Sequence, residues 1–197
     1  MIKIGIIGEN YQNDSCAFKA FLTPQYQGKI TFVPILKSLN GGRPPIKKVL
    51  NMLPTEIQKY QLNALLFLLD LDKDANRNEC NQWFATIKKG VSVDSIFYLA
   101  VMELEALILA DIEIFNKKYG IKKQYTKNPK FEDDPKSILK AWTEKGKTKA
   151  QYNENDAEEI FKKLRFEIVY KNHFGDNSFQ EFIDTFEMTF KVKRHTV

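Results

Sequence analysis

Ala64-Leu65-Leu66-Phe67-Leu68-Leu69-Asp70-Leu71-Asp72 is a short apolar run that opens directly onto two carboxylates one residue apart. Its apolar residues fall on both sides of the two-residue period, the pattern of a strand buried on both faces at the centre of a parallel sheet. Open α/β sheets collect their ligands just beyond the carboxyl ends of the strands. The Asp-x-Asp pair therefore stands where such a fold places its chemistry.

Working outward from this run, three further strands are expected. One spans 2–7; a second spans 30–36, where Pro34 marks an edge strand or a strand end; the last centres on Ile96-Phe97-Tyr98-Leu99-Ala100. Between them, apolar spacing predicts helices at 14–22, capped by Asp14, at 46–60, and at 76–89, closed by Gly90. Pro54 is expected to split the second of these. Residues 102–115 give the strongest helical pattern, with Leu104, Leu107, Ile108, Ala110 and Ile114 on the buried side. Strand and helix in strict alternation predict a four-stranded, mostly parallel, Rossmann-like sheet with helices on both faces.

Past Asn116 the texture turns to Lys, Asn, Gly and Pro. Helices are expected there at 135–145, 156–170 and 178–186, the last capped by Ser178 with Glu181 three residues on. The expected organisation is an α/β core at 1–116 and a C-terminal helical annex at 117–197 packed on it.

With 197 residues, 43% hydrophobic and 28% charged, the chain can build one substantial core. Its apolar runs fall short of a membrane span and Met1–Gly8 does not read as a secretory leader, so a cytoplasmic protein without membrane contact is expected. Two cysteines, Cys16 and Cys80, make no disulfide framework, and two histidines, His173 and His195, make no zinc centre. A bound metal would have to be held by carboxylate oxygen, which favours Mg²⁺, with Mn²⁺ as a substitute. The net charge is +5, and residues 112–197 hold +4 of it. A weakly basic face beside an acidic centre suits a polyanion such as DNA or RNA.

Residues that follow parallel strands meet at one rim. Glu9 follows the first strand, Asp70 and Asp72 the third, and Glu103 or Glu105 the fourth. Each acid alone reads as readily as a cap or a solvated charge. Gathered together they repel, and a divalent cation relieves the repulsion. Asp70-x-Asp72-x-Asp74 is not a calcium loop, because Ala75 stands where glycine is needed and Asn81 where a bidentate glutamate is needed. Asp74, Asn76 and Asn78 are expected to form the turn and cap the next helix. Gly5-Ile6-Ile7-Gly8 lacks the spacing of a dinucleotide fingerprint, and neither a P-loop nor a nucleophile elbow occurs. Candidate phosphate contacts are Arg43, Lys47 and Lys48 from one loop, and Lys73 and Arg77 beside the Asp-x-Asp pair.

A strand ending in Gly8-Glu9 and a later one ending in Leu69-Asp70-Leu71-Asp72 resemble the TOPRIM domain of topoisomerases, primases and OLD-type nucleases. Ala100-Val101-Met102-Glu103-Leu104-Glu105-Ala106-Leu107-Ile108-Leu109-Ala110-Asp111, with Asn128-Pro129 and Asp134-Pro135-Lys136, resembles more closely the small stand-alone TOPRIM-like proteins of the DUF4276 family. The resemblance covers 1–145. It implies that Glu9 acts in acid–base chemistry and helps to hold metal, and that Asp70 and Asp72 bind Mg²⁺. It further implies that Glu105, or else Glu103, serves a second ion, and that Asp111 packs a helix or supports the site. An ATPase partner in a prokaryotic defence system is also implied. Asn10 departs from the family's glycine, tightening or polarising the turn after Glu9.

These readings converge on a Mg²⁺-dependent nuclease that hydrolyses phosphodiester bonds in DNA or RNA, with Glu9, Asp70 and Asp72 catalytic. Two alternatives stay open: a non-catalytic partner subunit of an ATPase, and a small-molecule phosphohydrolase.

Overall fold

The computed structural model describes residues 1–38, 41–126, 134–144, 148, 150–171 and 178–195. Four strands, β1 (Ile2–Ile7), β2 (Ile30–Pro34), β3 (Ala64–Asp70) and β4 (Asp94–Ala100), form one parallel sheet in the order β2-β1-β3-β4. Ile4 pairs with Ala64 and Ile7 with Phe67, while Asp70 pairs with Ala100. Pro34 ends β2 on the sheet's edge, where its missing N–H costs no ladder bond.

Residues 64–69 are all buried because β3 is covered twice. Leu66 and Leu68 join Ile4 and Ile6 in one core. Leu65, Phe67 and Leu69 join Val49, Leu53, Trp83 and Ile87 in the other. The second core lies under α2 (Ile46–Tyr60) and α3 (Arg77–Gly90). The first lies under α1 (Ala17–Leu22) and the later helices. These are α4 (Ala106–Ala110), α5 (Ile112–Tyr119), α6 (Pro135–Trp142), α7 (Ala157–Phe161), α8 (Phe166–Lys171) and α9 (Ser178–Phe190). The fold is thus the expected α/β sheet with helices on both faces and helices after it. No helix among the described residues is long and apolar enough to cross a membrane.

Several local expectations fail for physical reasons. Pro54 does not split α2: it faces solvent, while Val49 and Leu53 hold the helix against the sheet. The segment expected as one helix over 102–115 begins as a turn, with Met102 left-handed (φ 61°), and breaks again at Asp111. Both departures are tied to side chains: Leu104 N–H donates to Asp70 Oδ1 at 2.9 Å, and the Arg165 guanidinium grips the fully buried Asp111 carboxylate. Asp111 therefore does pack a helix, by anchoring α5 to the start of α8. The helix expected over 156–170 is likewise interrupted near Arg165, whose N–H donates to Asp111 at 2.8 Å. Asp14 does not cap the first helix. A π-helical turn over Tyr11–Cys16 precedes α1, and Asn10 caps that turn, accepting from Gln12 and Asn13 N–H at 3.0 Å each, while α1 itself has no side-chain cap. Asn76 donates to Leu71 O at 3.1 Å instead of capping α3. Asn128-Pro129 and His173 lie outside the described residues.

The C-terminal helices are bound to the sheet by aromatic packing. Phe182 meets Tyr98 of β4 and Phe18 of α1, and Phe186 meets Tyr26 and Phe32. Truncating a buried phenylalanine removes its transfer energy and leaves a cavity. Phe186→Ala should lower unfolding free energy by about 3–5 kcal/mol, read as a reduced urea midpoint with the denaturant slope unchanged.

Candidate active site

The chain leaves β1 toward β2 on one side, while β3 pairs on the other, so the loops after β1 and β3 diverge to opposite faces. Such a switch point opens a crevice at the carboxyl rim of a doubly wound sheet. Glu9 and Asp70 flank it.

Gly8 makes the turn after β1 possible. A Cβ there would lie 2.5 Å from the Asp14 Cβ, closer than any side chain tolerates, because the Tyr11–Cys16 turn folds back on it. Gly8 N–H donates to the buried Ser15 Oγ at 2.8 Å, and Asn10 N–H donates to Asp14 Oδ2 at 2.6 Å. Asp14 is thereby drawn beside Glu9.

On the other side of the switch, Asp72 is held left-handed (φ 55°) and donates its N–H to Met102 O at 2.9 Å. Two non-glycine residues in this sparsely populated region, joined by a hydrogen bond, clamp the β3 and β4 loops together. Strained backbone of this kind clusters at functional sites. Asp72 itself is exposed.

The electrostatics show which acids feel one another. Burial, then the charges of Asp14 and Asp72, push the Glu9 carboxyl up to about 7, against the pull of Arg43 and of the Asp70 backbone N–H. Burial, then Asp14, Glu105, Glu9 and Glu103, hold Asp70 well above the usual carboxylate range. Burial likewise pushes Asp14 up to about 6. Glu105, also buried, is pushed up to about 7, against the pull of Lys136 and with repulsion from Glu103.

Glu103 and Glu105 have built-in partners. Glu103 Oε2 accepts from Lys136 N–H at 2.9 Å, and Tyr152 OH donates to Glu105 Oε1 at 3.2 Å. Lys136 Nζ lies 3.6 Å from Glu103, 3.8 Å from Glu105 and 3.8 Å from Glu154. Burial works against its charge, but these carboxylates outweigh it and raise its proton affinity. Lys136 also feels the charge of Asp70, but among the described residues no lysine forms an ion pair with Asp70, Asp72 or Glu9.

Among the described residues, no group of three or more His, Cys, Asp or Glu is arranged to hold a metal ion. Of the candidate phosphate contacts, Arg43 is the one that acts on Glu9. Lys47, Lys48, Lys73 and Arg77 are exposed. Sequence reasoning read Asp14 only as a cap and gave no role to Ser15, Lys136, Tyr152 or Glu154. The signal for Lys136 was its place beside Asp134-Pro135, which starts α6 with the Asp134 carboxylate accepting from Ser137 N–H at 2.8 Å.

Comparison with protein-family models, with curated proteins and with solved structures returns no match for this chain.

Acids that bind their proton more tightly when folded favour the folded state while both states are protonated. That advantage is lost as pH rises from the ordinary value of 4.5 through about 7 for Glu9 and Glu105. Carboxyls held low, such as Glu159 at about 2 beside Lys118 and Lys163, finish titrating below this window. Without divalent ions, the urea midpoint should therefore fall between pH 5 and pH 8, and Glu9→Gln with Glu105→Gln should flatten the fall.

Proposed function

We propose that the acidic rim is the centre of a Mg²⁺-dependent phosphodiesterase acting on nucleic acid, of the TOPRIM-like kind. The observation that supports this reading is the meeting, at a sheet switch point, of carboxylates from three strand ends whose burial, and then mutual repulsion, raises their proton affinity. The donors are all hard oxygens, as Mg²⁺ requires. Mg²⁺ keeps several waters and takes only one or two carboxylates together with substrate phosphate, so a preformed cage of three acids is not needed.

Asp70 and Asp72 are the residues that would hold the ion, with Glu9 beside them. When bound, a divalent cation supplies positive charge against that developing on the phosphoryl oxygens. Glu9, poised near neutrality, takes up a proton from the attacking nucleophile and can return one to the leaving oxygen. Arg43 steadies a phosphate from the β2–α2 loop, where a guanidinium fork matches phosphate geometry. Asp14, hydrogen-bonded to Asn10 N–H, adds the negative charge that keeps Glu9 basic. Glu103 and Glu105, paired with Lys136 and Tyr152, shape the rim.

A second reading rests on that pairing. A lysine inserted among three glutamates leaves half of the rim satisfied without an added cation, as suits a non-catalytic subunit that uses the fold to engage a partner such as an ATPase.

Labelled single- and double-stranded DNA and RNA, incubated with the purified chain and Mg²⁺ or Mn²⁺, separate the readings. Cleavage that disappears with chelator, falls to background in Asp70→Asn and Asp72→Asn, and drops by about 100-fold or more in Glu9→Gln supports the enzyme. Asp70→Asn keeps an acceptor for Leu104 N–H while removing a buried charge. That variant should melt higher than the parent at pH 8, so its loss of activity cannot be assigned to unfolding. No divalent-dependent cleavage of any of the four substrates would sink the proposal.

A further inference from the structure

Beside the rim a cleft of about 590 Å³ opens between the β2–α2 loop and α3. This volume is in the range that holds a small organic ligand. Pro44 and Pro45 line it from the loop; Gln82, Trp83 and Thr86 line it from α3. The Trp83 indole is fixed: its Nε1–H donates to Pro44 O at 2.8 Å and its ring meets Phe67 edge-on at 5.8 Å. The cleft therefore has a rigid apolar wall, of which Pro45 is exposed and Trp83 only 6% exposed, with the exposed amide of Gln82 nearby, while the Thr86 hydroxyl donates to Gln82 O at 2.8 Å.

Arg43 joins this cleft to the acidic centre. Its guanidinium reaches Glu79 at 2.8 Å and Cys80 Sγ at 3.1 Å, and the same charge acts on Glu9. Its Nε is buried and, among the described residues, has no hydrogen-bond partner. A buried donor left unpaired is costly, and native structures seldom keep one without a reason. The Glu79 side chain is 73% exposed, so its ion pair with Arg43 is weak and replaceable. A ligand with several anionic oxygens would displace Glu79 from the Arg43 Nη1 edge, and a turn of the guanidinium would then bring the covered Nε to the same oxygens. An anion on one flank, a flat apolar wall and a neutral amide able to meet a base edge together describe one nucleotide.

We propose that this cleft binds a nucleoside phosphate unit, with its phosphate on Arg43 and its base along the Pro44–Pro45–Trp83 wall. The unit is either a free nucleotide or a nucleotide of a single strand lying next to the acidic centre. The second source rests on the phosphodiesterase reading and gives that centre a single-stranded substrate.

The test uses the full chain carrying Trp142→Phe, so that Trp83 is the sole tryptophan, in EDTA without divalent ion. Indole fluorescence is titrated with nucleoside 5′-monophosphates, with short single-stranded DNA and RNA, and with inorganic phosphate. Saturable quenching by nucleotide, weakened about tenfold by Arg43→Gln and also weakened by Gln82→Ala, is expected. Tighter binding of the strand than of the mononucleotide assigns the polymer; equal binding assigns the free nucleotide. Gln82→Phe fills the cleft from an exposed position and leaves Trp83 the sole tryptophan, so it should abolish binding whether or not Arg43→Gln folds. Failure of nucleotide and strand alike to saturate the signal overturns the proposal. So does binding that survives both Arg43→Gln and Gln82→Phe. Because no metal is present, neither result depends on whether Asp70 and Asp72 support hydrolysis.

Discussion

The rim depends on the parallel pairing of β1 with β3, Ile4 opposite Ala64 through Ile7 opposite Phe67. Two strands distant in sequence then end side by side, and Glu9, two residues past the last paired residue of β1, comes level with Leu69, next to Asp70. The register is strongly held because each strand buries both faces. A slip of one residue would send every side chain of β3 into the opposite core. A slip of two would carry Glu9 about 7 Å along the strand axis, away from Asp70. The apolar run Ala64–Leu69 thus fixes the position of acids that contribute nothing to the core themselves.

That arrangement sets burial against charge. Carboxylates drawn into a low-dielectric rim cost free energy unless hydrogen bonds or cations answer them. The two halves of the rim are answered differently. Toward β4, Lys136 and Tyr152 meet Glu103 and Glu105. Toward β1, Asp70 has the Leu104 N–H and Glu9 has the more distant Arg43, while Asp14 and Asp72 add repulsion. The β1 half is the electrostatically unfinished one, and it adjoins the cleft lined by Arg43, whose Nε finds no hydrogen-bond partner among the described residues. A polyanion and a cation arriving together would complete both features.

The sequence announced the sheet well because a parallel strand buried on both faces has a composition that little else has. Its acids at strand ends were legible for the same reason: topology sends all such residues to one rim. Helix limits were less legible where a side chain outbids the helical hydrogen bond. Asp70 draws Leu104 out of the helix expected over 102–115, and Arg165 with Asp111 divides that helix and the one expected over 156–170. Lys136 and Tyr152 could not be placed from pattern, since each reaches the rim from a segment whose path is set by tertiary packing. The role of Gly8 was hidden as well. Periodicity cannot show that the chain turns back within 2.5 Å of the place where its Cβ would be.

The C-terminal helices are therefore part of the chemistry of the rim as well as of its stability. Phe179, Phe182 and Phe186 share one apolar cluster with Ile4, Leu66 and Tyr98, so the face of the sheet and these helices are buried by each other. The same packing carries Lys136 and Tyr152 to Glu103 and Glu105, and Asp111 to Arg165. Burial at the rim, ahead of the neighbouring charges, is the largest cause that makes Glu9, Asp70 and Glu105 basic. Admitting water would lower their proton affinity and remove a lysine counter-charge in one step. The distance between a strand-end acid and a solvated surface acid is thus set by residues more than a hundred positions away in the chain.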